Sequence, residues 1–200
     1  MVDIDVKSTV LEIEELTDEE KEIMNEVITD VEEKYATHLR EFITDLKNLD
    51  QESKEPIEQA VRKCRQAKQK PIRDCYINEL QNIIKERMPK VLGCRDEPQT
   101  ITKERIPNVL EHYTAKLIAY FMIKEVDIVG VHVKHSIMIR CRCKTTDGLL
   151  DLDELVASDE LDELFGLIMS CLINQPAAAS VSISQEEFKR CLESLNADAG

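Results

Sequence analysis

Two cysteines, Cys141 and Cys143, lie close along the chain to two histidines, His132 and His135. Cysteine and histidine are the usual ligands of structural zinc, so these four side chains are the first candidates for chemistry. Their spacing is H-x2-H followed by C-x-C, whereas the cysteines of zinc knuckles are usually separated by two to four residues. The two histidines are also three residues apart, so in a strand their side chains would point to opposite faces. The spacing therefore favours packing over metal binding.

The cysteines belong to the segment 137–144, IMIRCRCK, which alternates apolar and polar side chains. Alternation with a period of two is typical of a half-buried strand, and alternate side chains share a face. Cys141 and Cys143 are therefore predicted to point inward with the isoleucines. The residues predicted on the exposed face are Met138, Arg140, Arg142 and Lys144. Because exposed arginines beside an apolar side chain suit contact with an acidic protein, these four are the candidate partner-binding residues.

No residue pattern indicates an enzyme. The chain contains no G-x-S-x-G motif, no P-loop and no G-x-G-x-x-G motif, and its 5 glycines leave little material for a phosphate-binding loop. None of its thiols lies in a nucleophile signature. Carboxylate clusters such as Asp151, Asp153 and Glu154 are typical of a solvated helix surface. The sequence predicts no catalytic residue, no cofactor and no metal ligand.

Composition places the chain among intracellular globular proteins. Of 200 residues, 42% are hydrophobic and 33% are charged, and no apolar run reaches the length of a membrane span. The N-terminus lacks the basic flank and apolar stretch of a signal peptide. Seven cysteines, an odd number scattered singly, indicate reduced thiols in a reducing compartment. We therefore expect a cytoplasmic protein that has no membrane contact.

The net charge of −14 is distributed unevenly. Residues 1–60 carry 19 acids and 6 bases, residues 61–148 carry 10 acids and 18 bases, and residues 149–200 carry 11 acids and 2 bases. The basic middle either neutralises the acidic ends or presents a stripe to an acidic partner. Nucleic acid is disfavoured, because the basic strand lacks the aromatic side chains on which bases stack.

The first half of the chain has helical periodicity. Residues 1–16 are interpreted as a tail and residues 17–92 as a helical region, in which a long amphipathic helix over 18–49 follows a capping box at Thr17 and Glu20. A second helix begins near Ser53, and Pro71 kinks it or starts a third. The region remains open to three interpretations, namely a death-fold-like bundle, an antiparallel arm or a coiled-coil element.

The second half, residues 100–200, changes period. A connector over 93–100, GCRDEPQT, is the predicted domain boundary, and a helix beginning near Ile106 follows it. The later elements are a β-hairpin over 126–144, two helices over 149–173 that meet near Ser158, a strand over 180–184 and a helix over 185–195. The predicted fold class is α+β, with an N-terminal helical bundle or arm followed by a small α/β sandwich (β-β-α-α-β-α) whose sheet is antiparallel.

The C-terminal elements resemble the TRADD-like N-terminal domain family. The resemblance covers residues 126–196 and extends toward residue 100. It is carried by the strand IMIRCRC, the acidic helix pair LLDLDELVASDELDELFGLIMSCLI, the strand SVSIS and the helix QEEFKRCLESL with Cys191. It implies an antiparallel sheet covered by helices and a role as a binding adaptor in apoptotic or innate-immune signalling.

Together these patterns predict a non-enzymatic protein–protein interaction module or adaptor. The alternative is a helical scaffold that self-associates through residues 18–49, because apolar helix stripes of this length often need a partner helix.

Overall fold

The structure is a computed structural model that describes residues 1–11, 15–88 and 105–198. Two compact units are present: Met1–Arg40 with Lys124–Gly200 form an α+β unit, and Glu41–Ile123 form a helical unit. The strands are β1 (Val2–Val10), β2 (Val126–Val133), β3 (Ile137–Cys143) and β4 (Ala177–Ile183). The helices are α1 (Asp18–Lys47), α2 (Gln51–Gln66), α3 (Lys70–Arg87), α4 (Arg105–Ile123), α5 (Thr146–Ala157), α6 (Glu160–Ile173) and α7 (Gln185–Asp198).

The four strands form one sheet in the order β2-β3-β1-β4, and every neighbouring pair is antiparallel. Consequently β1 and β2 run in the same direction with β3 between them, and β3 and β4 run in the same direction with β1 between them. Each of these pairs is connected through helices, which is the β-α-β-β-α-β order of the split β-α-β motif. The α+β fold class with an antiparallel sheet is confirmed.

The interpretation of residues 1–16 as a tail is corrected, because Val2–Val10 form an interior strand. Val2, Ile4 and Val6 are buried, whereas the residues between them are at most half-buried, so the segment has the period of a strand. The α+β unit therefore begins at the N-terminus, and it does not coincide with the predicted domain over 100–200.

The inner face of the sheet is the core of the α+β unit. Register aligns Val131, Ile139, Ile4 and Ile183 across all four strands, and each of them is buried. Full burial of a side chain of this size contributes roughly 1.5–3 kcal/mol. Buried residues of α5 and α6, Leu149, Leu152, Leu161 and Phe165 among them, belong to the same unit.

Helix α6 protects the outer edge of β4. The backbone N–H of Val181 donates to Asp162 Oδ1 at 2.8 Å, and Ala177 exchanges hydrogen bonds with the Ser170 hydroxyl. Side chains thus take the place of a neighbouring strand at backbone groups that would otherwise attract another chain. The predicted break between α5 and α6 is confirmed, with Ser158 as the C-cap of α5 and Asp159 in a left-handed conformation (φ 63°) before α6.

Helix α1 begins as the sequence predicts. The Thr17 N–H donates to Glu20 Oε2 at 2.8 Å and the Glu20 N–H donates to Thr17 Oγ1 at 3.3 Å, which confirms the capping box. Tyr35 and Leu39 of its apolar stripe are buried in the chain itself, and the Tyr35 ring packs edge-on against Phe165 at 6.3 Å between centroids. At the start of the stripe, Ile23 is 62% exposed.

One acid of α1, Glu32, is buried in the α+β unit with only 4% of its surface exposed. Burial raises the pKa of this carboxyl group to about 7, and the nearby carboxylates of Asp5 and Glu33 act in the same direction. The nearby Ser8 hydroxyl opposes part of this rise in pKa, but its contact with Glu32 does not have the geometry of a regular hydrogen bond. Ionisation of Glu32 near neutral pH therefore destabilises the folded chain.

In the helical unit, α2 and α3 begin at clear local signals, and a side chain caps the end of α4. The Ser53 N–H donates to Asp50 Oδ1 at 2.7 Å and caps α2, and Pro71 lies in the first turn of α3, so the proline restarts the helix. Arg65 donates to the carbonyl oxygens of Met122 and Ile123 and so satisfies the end of α4. The predicted connector over 93–100 lies outside the described residues.

Candidate protein-interaction surface

The two cysteines of β3 are packing residues. Cys141 is fully buried and Cys143 is 6% exposed, which confirms the predicted inward orientation. Burial raises the pKa of both thiols, that of Cys143 to about 11, so both are protonated at neutral pH. The Cys141 thiol donates to the Ile139 carbonyl at 3.7 Å. Since the thiolate is the form that attacks electrophiles and binds metals, neither sulfur is prepared for such chemistry.

The histidines of the candidate zinc set do not join these sulfurs. His132 is the cross-strand partner of Met138, so its side chain lies on the face opposite to Cys141, and His135 is exposed in the turn after β2. Within residues 1–11, 15–88 and 105–198, no group of three or more His, Cys, Asp or Glu side chains could hold a metal ion.

The other face of the sheet, which we call the open face, is polar and largely exposed. Strand register places the predicted partner-binding residues Met138, Arg140 and Arg142 on this face, and Lys144 follows β3 on the same side. The remaining polar side chains of the open face are Asp3, Asp5, Lys7 and Thr9 of β1, Asp127 and His132 of β2, and Ser180 and Ser182 of β4. Four cations and three carboxylates therefore share this surface, which is less basic than β3 alone suggests.

Arg140 is committed to a partner in its own sheet. Its Nε and Nη2 atoms donate to the two carboxylate oxygens of Asp3 at 2.9 and 3.1 Å, because β1 places Asp3 directly opposite Arg140. This two-point contact lowers the pKa of Asp3, so the pair stays ionised at neutral pH. Arg140 is thus held in a fixed orientation at the surface.

Lys144 and Met138 also have local partners. The Lys144 ammonium lies 3.0 Å from Asp127 Oδ2, and Met138 Sδ lies 3.8 Å from the Ser136 hydroxyl oxygen. The Ser136 hydroxyl also makes a short hydrogen bond to Asp5 Oδ1, which fixes this end of the open face. Met138 is half-buried and Lys144 is exposed.

Arg142 differs from the other predicted residues. It is exposed, and it makes no ion pair or hydrogen bond within the described part of the chain. Its cross-strand neighbour Asp127 is engaged by Lys144. Arg142 is therefore the guanidinium of the open face that is available to another molecule.

A cleft of about 260 Å³ adjoins the open face beside α7. Its lining residues are Met1, Asp3, Arg140, Glu187, Arg190, Cys191 and Ser194. Glu187 Oε2 accepts a hydrogen bond from the Asp3 backbone N–H at 3.1 Å, which ties α7 to β1. The lining of the cleft therefore contains both charge signs and a buried cysteine.

The sequence reasoning missed Asp3, Asp5 and Glu187, although all three lie at this surface. The alternation of VDIDVKSTV was the signal that could have revealed β1, and through it the two aspartates. The position of Glu187 depends on the packing of α7 beside β1, for which the sequence carries no local signal.

The chain matches no protein-family model, no curated protein and no solved structure. Among the helices that the structure describes, none combines the length and the apolar character needed to cross a bilayer.

Proposed function

We propose that this chain is a non-enzymatic protein–protein interaction module that binds its partner through the open face of the sheet. The supporting observation is Arg142, an exposed guanidinium that makes no ion pair with any residue the structure describes and that lies on β3 beside the fixed Arg140–Asp3 pair. Arg142 has no ion pair to break when a partner binds, and Arg is enriched at interface centres.

The partner surface that fits best has an acidic group opposite Arg142 and alternating charges around it. Asp3, Asp5 and Asp127 interrupt the cations of the open face, so a uniformly acidic surface would meet repulsion at three positions. Met138, which is half-buried between these charges, would supply the apolar contact. The open face therefore favours a partner of mixed charge.

The signalling setting of this proposal depends on the resemblance of residues 126–196 to TRADD-like N-terminal domains. An antiparallel sheet combined with helices agrees with the fold that the resemblance implies. An adaptor role in apoptotic or innate-immune signalling is the corresponding proposal. The partner itself is recognised by the chemistry of the open face.

The self-associating scaffold remains the alternative, but its physical basis is weaker in the folded chain. Val31, Tyr35 and Leu39 of the α1 stripe are buried within the chain, so this helix already packs most of its apolar surface. Sedimentation of the full chain at increasing concentration tests the alternative. A dimer that dissociates when Ile23 is replaced by Glu would support it.

The test of the proposed function is affinity capture from a native lysate with the full chain and two matched variants. Arg142→Glu reverses one charge on the open face, and Lys189→Glu makes the same change at an exposed position of α7. A partner retained by the wild type and by Lys189→Glu but lost with Arg142→Glu supports the open face.

Thermal unfolding of the three proteins serves as the folding control. Equal capture by all three proteins would contradict the assignment of Arg142. Binding that depends only on net charge would give a different result. It would weaken equally in both variants and disappear with added salt.

A further inference from the structure

A group of basic side chains lies in the helical unit, between α3 and α4. It consists of Lys85 on α3 and of His112 and Lys116 on α4, and we call it the lysine–histidine cluster. All three side chains are half-buried, so they are within reach of solvent but are partly shielded from it. None of them takes part in the open face or in the proposed function.

The packing of α3 on α4 fixes the position of this cluster. The Gln81 side chain is 3% exposed and donates from Nε2 to the His112 carbonyl oxygen at 2.8 Å. Lys85 lies one turn after Gln81, and its ammonium is 3.3 Å from His112 Nδ1. Because residues four apart share a helix face, Gln81 and Lys85 both meet α4 at His112.

The cluster offers hydrogen-bond donors without an acidic group to receive them. With the Lys85 ammonium as donor, His112 Nδ1 is the acceptor and the neutral ring carries its proton on Nε2. Lys116 lies one turn after His112, with its ammonium 6.0 Å from the centroid of the Tyr120 ring. Within residues 1–11, 15–88 and 105–198, no carboxylate forms an ion pair with Lys85 or Lys116.

We propose that the lysine–histidine cluster is a binding site for a phosphate group, either the free dianion or a small phosphate monoester. Two ammonium groups, together with the Nδ1–H that His112 gains when it is protonated, match the several acceptor oxygens and the double negative charge of phosphate, whereas a carboxylate offers two oxygens and one charge. The Gln81 contact fixes the His112 backbone against α3, and the Lys85 ammonium already lies beside the imidazole.

The electrostatics of His112 agree with this assignment. Burial and the two lysines lower the pKa of the imidazole, so the site without an anion keeps His112 neutral at pH 7. A dianion beside the ring would reverse the sign of the local field and favour the imidazolium form. Phosphate binding would therefore be accompanied by uptake of a proton.

The experiment measures the His112 titration by NMR in the full chain, with inorganic phosphate, methyl phosphate or acetate at equal ionic strength. The expected result is a rise of the His112 pKa that saturates with phosphate. A response to both phosphates indicates that a monoester fits, and a response to inorganic phosphate alone indicates that the site encloses the free ion. An unchanged titration, or an equal rise with acetate, would overturn the proposal.

Variants provide an independent measurement by calorimetric titration of inorganic phosphate. Replacing Lys85 and Lys116 together with Met is expected to weaken binding at least about tenfold, because two charge-assisted hydrogen bonds are removed. Lys63→Met is the matched control, since Lys63 is in the same unit and is paired with Glu79 at 3.6 Å. Equal affinity in all three proteins contradicts the site. The His112 titration of the wild type decides the question if the double variant does not fold.

Discussion

The open face of the sheet and the lysine–histidine cluster both present cations, but these cations are in different electrostatic environments. On the open face, Arg140 and Lys144 are paired with Asp3 and Asp127 of neighbouring strands. In the cluster, Lys85 instead approaches a neutral histidine. Local basicity therefore does not indicate where an anion binds, because the availability of each base depends on which acids the fold brings opposite it.

The greatest loss of stability is expected when a polar residue is placed on the inner face of β3. The same residue on the open face should cost far less, which tests the assignment of the two faces. Cys141→Asn puts an amide into the fully buried inner face and is expected to destabilise the chain by about 4 kcal/mol, because a buried amide without partners loses its hydration. Arg142→Asn, one residue later on the exposed face, is expected to change stability by about 1 kcal/mol or less. Urea unfolding measures both, and similar losses would contradict the assignment of the faces.

The next effect concerns Glu32, a charge that neither region compensates. Because the folded-state pKa of about 7 exceeds the ordinary 4.5, the protonated form stabilises the fold below pH 4.5, and this contribution is lost as the pH rises through 7. The difference corresponds to at most about 3 kcal/mol. Glu32→Gln is therefore expected to raise the unfolding free energy at pH 8 and to change it little at pH 4.

The control for this experiment is Glu33→Gln, the neighbouring exposed acid of the same helix. Chemical denaturation at both pH values distinguishes the two variants. Equal effects of Glu32→Gln and Glu33→Gln at pH 8 would show that Glu32 is hydrated in the folded chain.

A smaller effect is expected at the Arg140–Asp3 ion pair of the open face. Arg140→Gln removes the cation that lowers the pKa of Asp3, so the carboxyl pKa is expected to rise toward the ordinary 3.8. In the wild type, the contribution of ionised Asp3 to stability is present above pH 3.8 and is lost as the pH falls through its lowered folded-state pKa. NMR titration of the Asp3 carboxyl group tests this, and Arg142→Gln is expected to leave it unchanged.

The smallest change is expected for the corresponding substitution in the lysine–histidine cluster. Lys85→Met removes a repulsive neighbour, so the His112 pKa is expected to rise toward 6.5 in buffer without phosphate, although burial still holds it below that value. Removal of a cation thus raises the pKa at both sites, by loss of attraction at Asp3 and by loss of repulsion at His112. Imidazole NMR titration measures the change, and Lys63→Met is expected to leave the His112 pKa unaltered. A fall in the His112 pKa would contradict the conclusion that Lys85 disfavours the protonated form of this ring.

Much of the secondary structure could be predicted because its signals are local. The alternation of IMIRCRC fixed the direction of Cys141, and the capping box at Thr17 fixed the start of α1. Proline in the first turn of α3 separated it from α2. Each of these signals depends on side chains only a few residues apart, so no knowledge of the remaining chain is required.

Local patterns of side chains were sufficient to establish the helix and strand periods and the inward direction of the β3 sulfurs. The position of β1 inside the sheet became visible in the folded chain alone, because Ile4 meets Ile139 and Ile183 through pairings that span most of the chain. The same distant contacts decided that Asp3 neutralises Arg140, that Glu32 is buried and that Lys85 meets His112. Charge pairing and burial are properties of neighbours in space, and for these residues the neighbours are far apart in sequence.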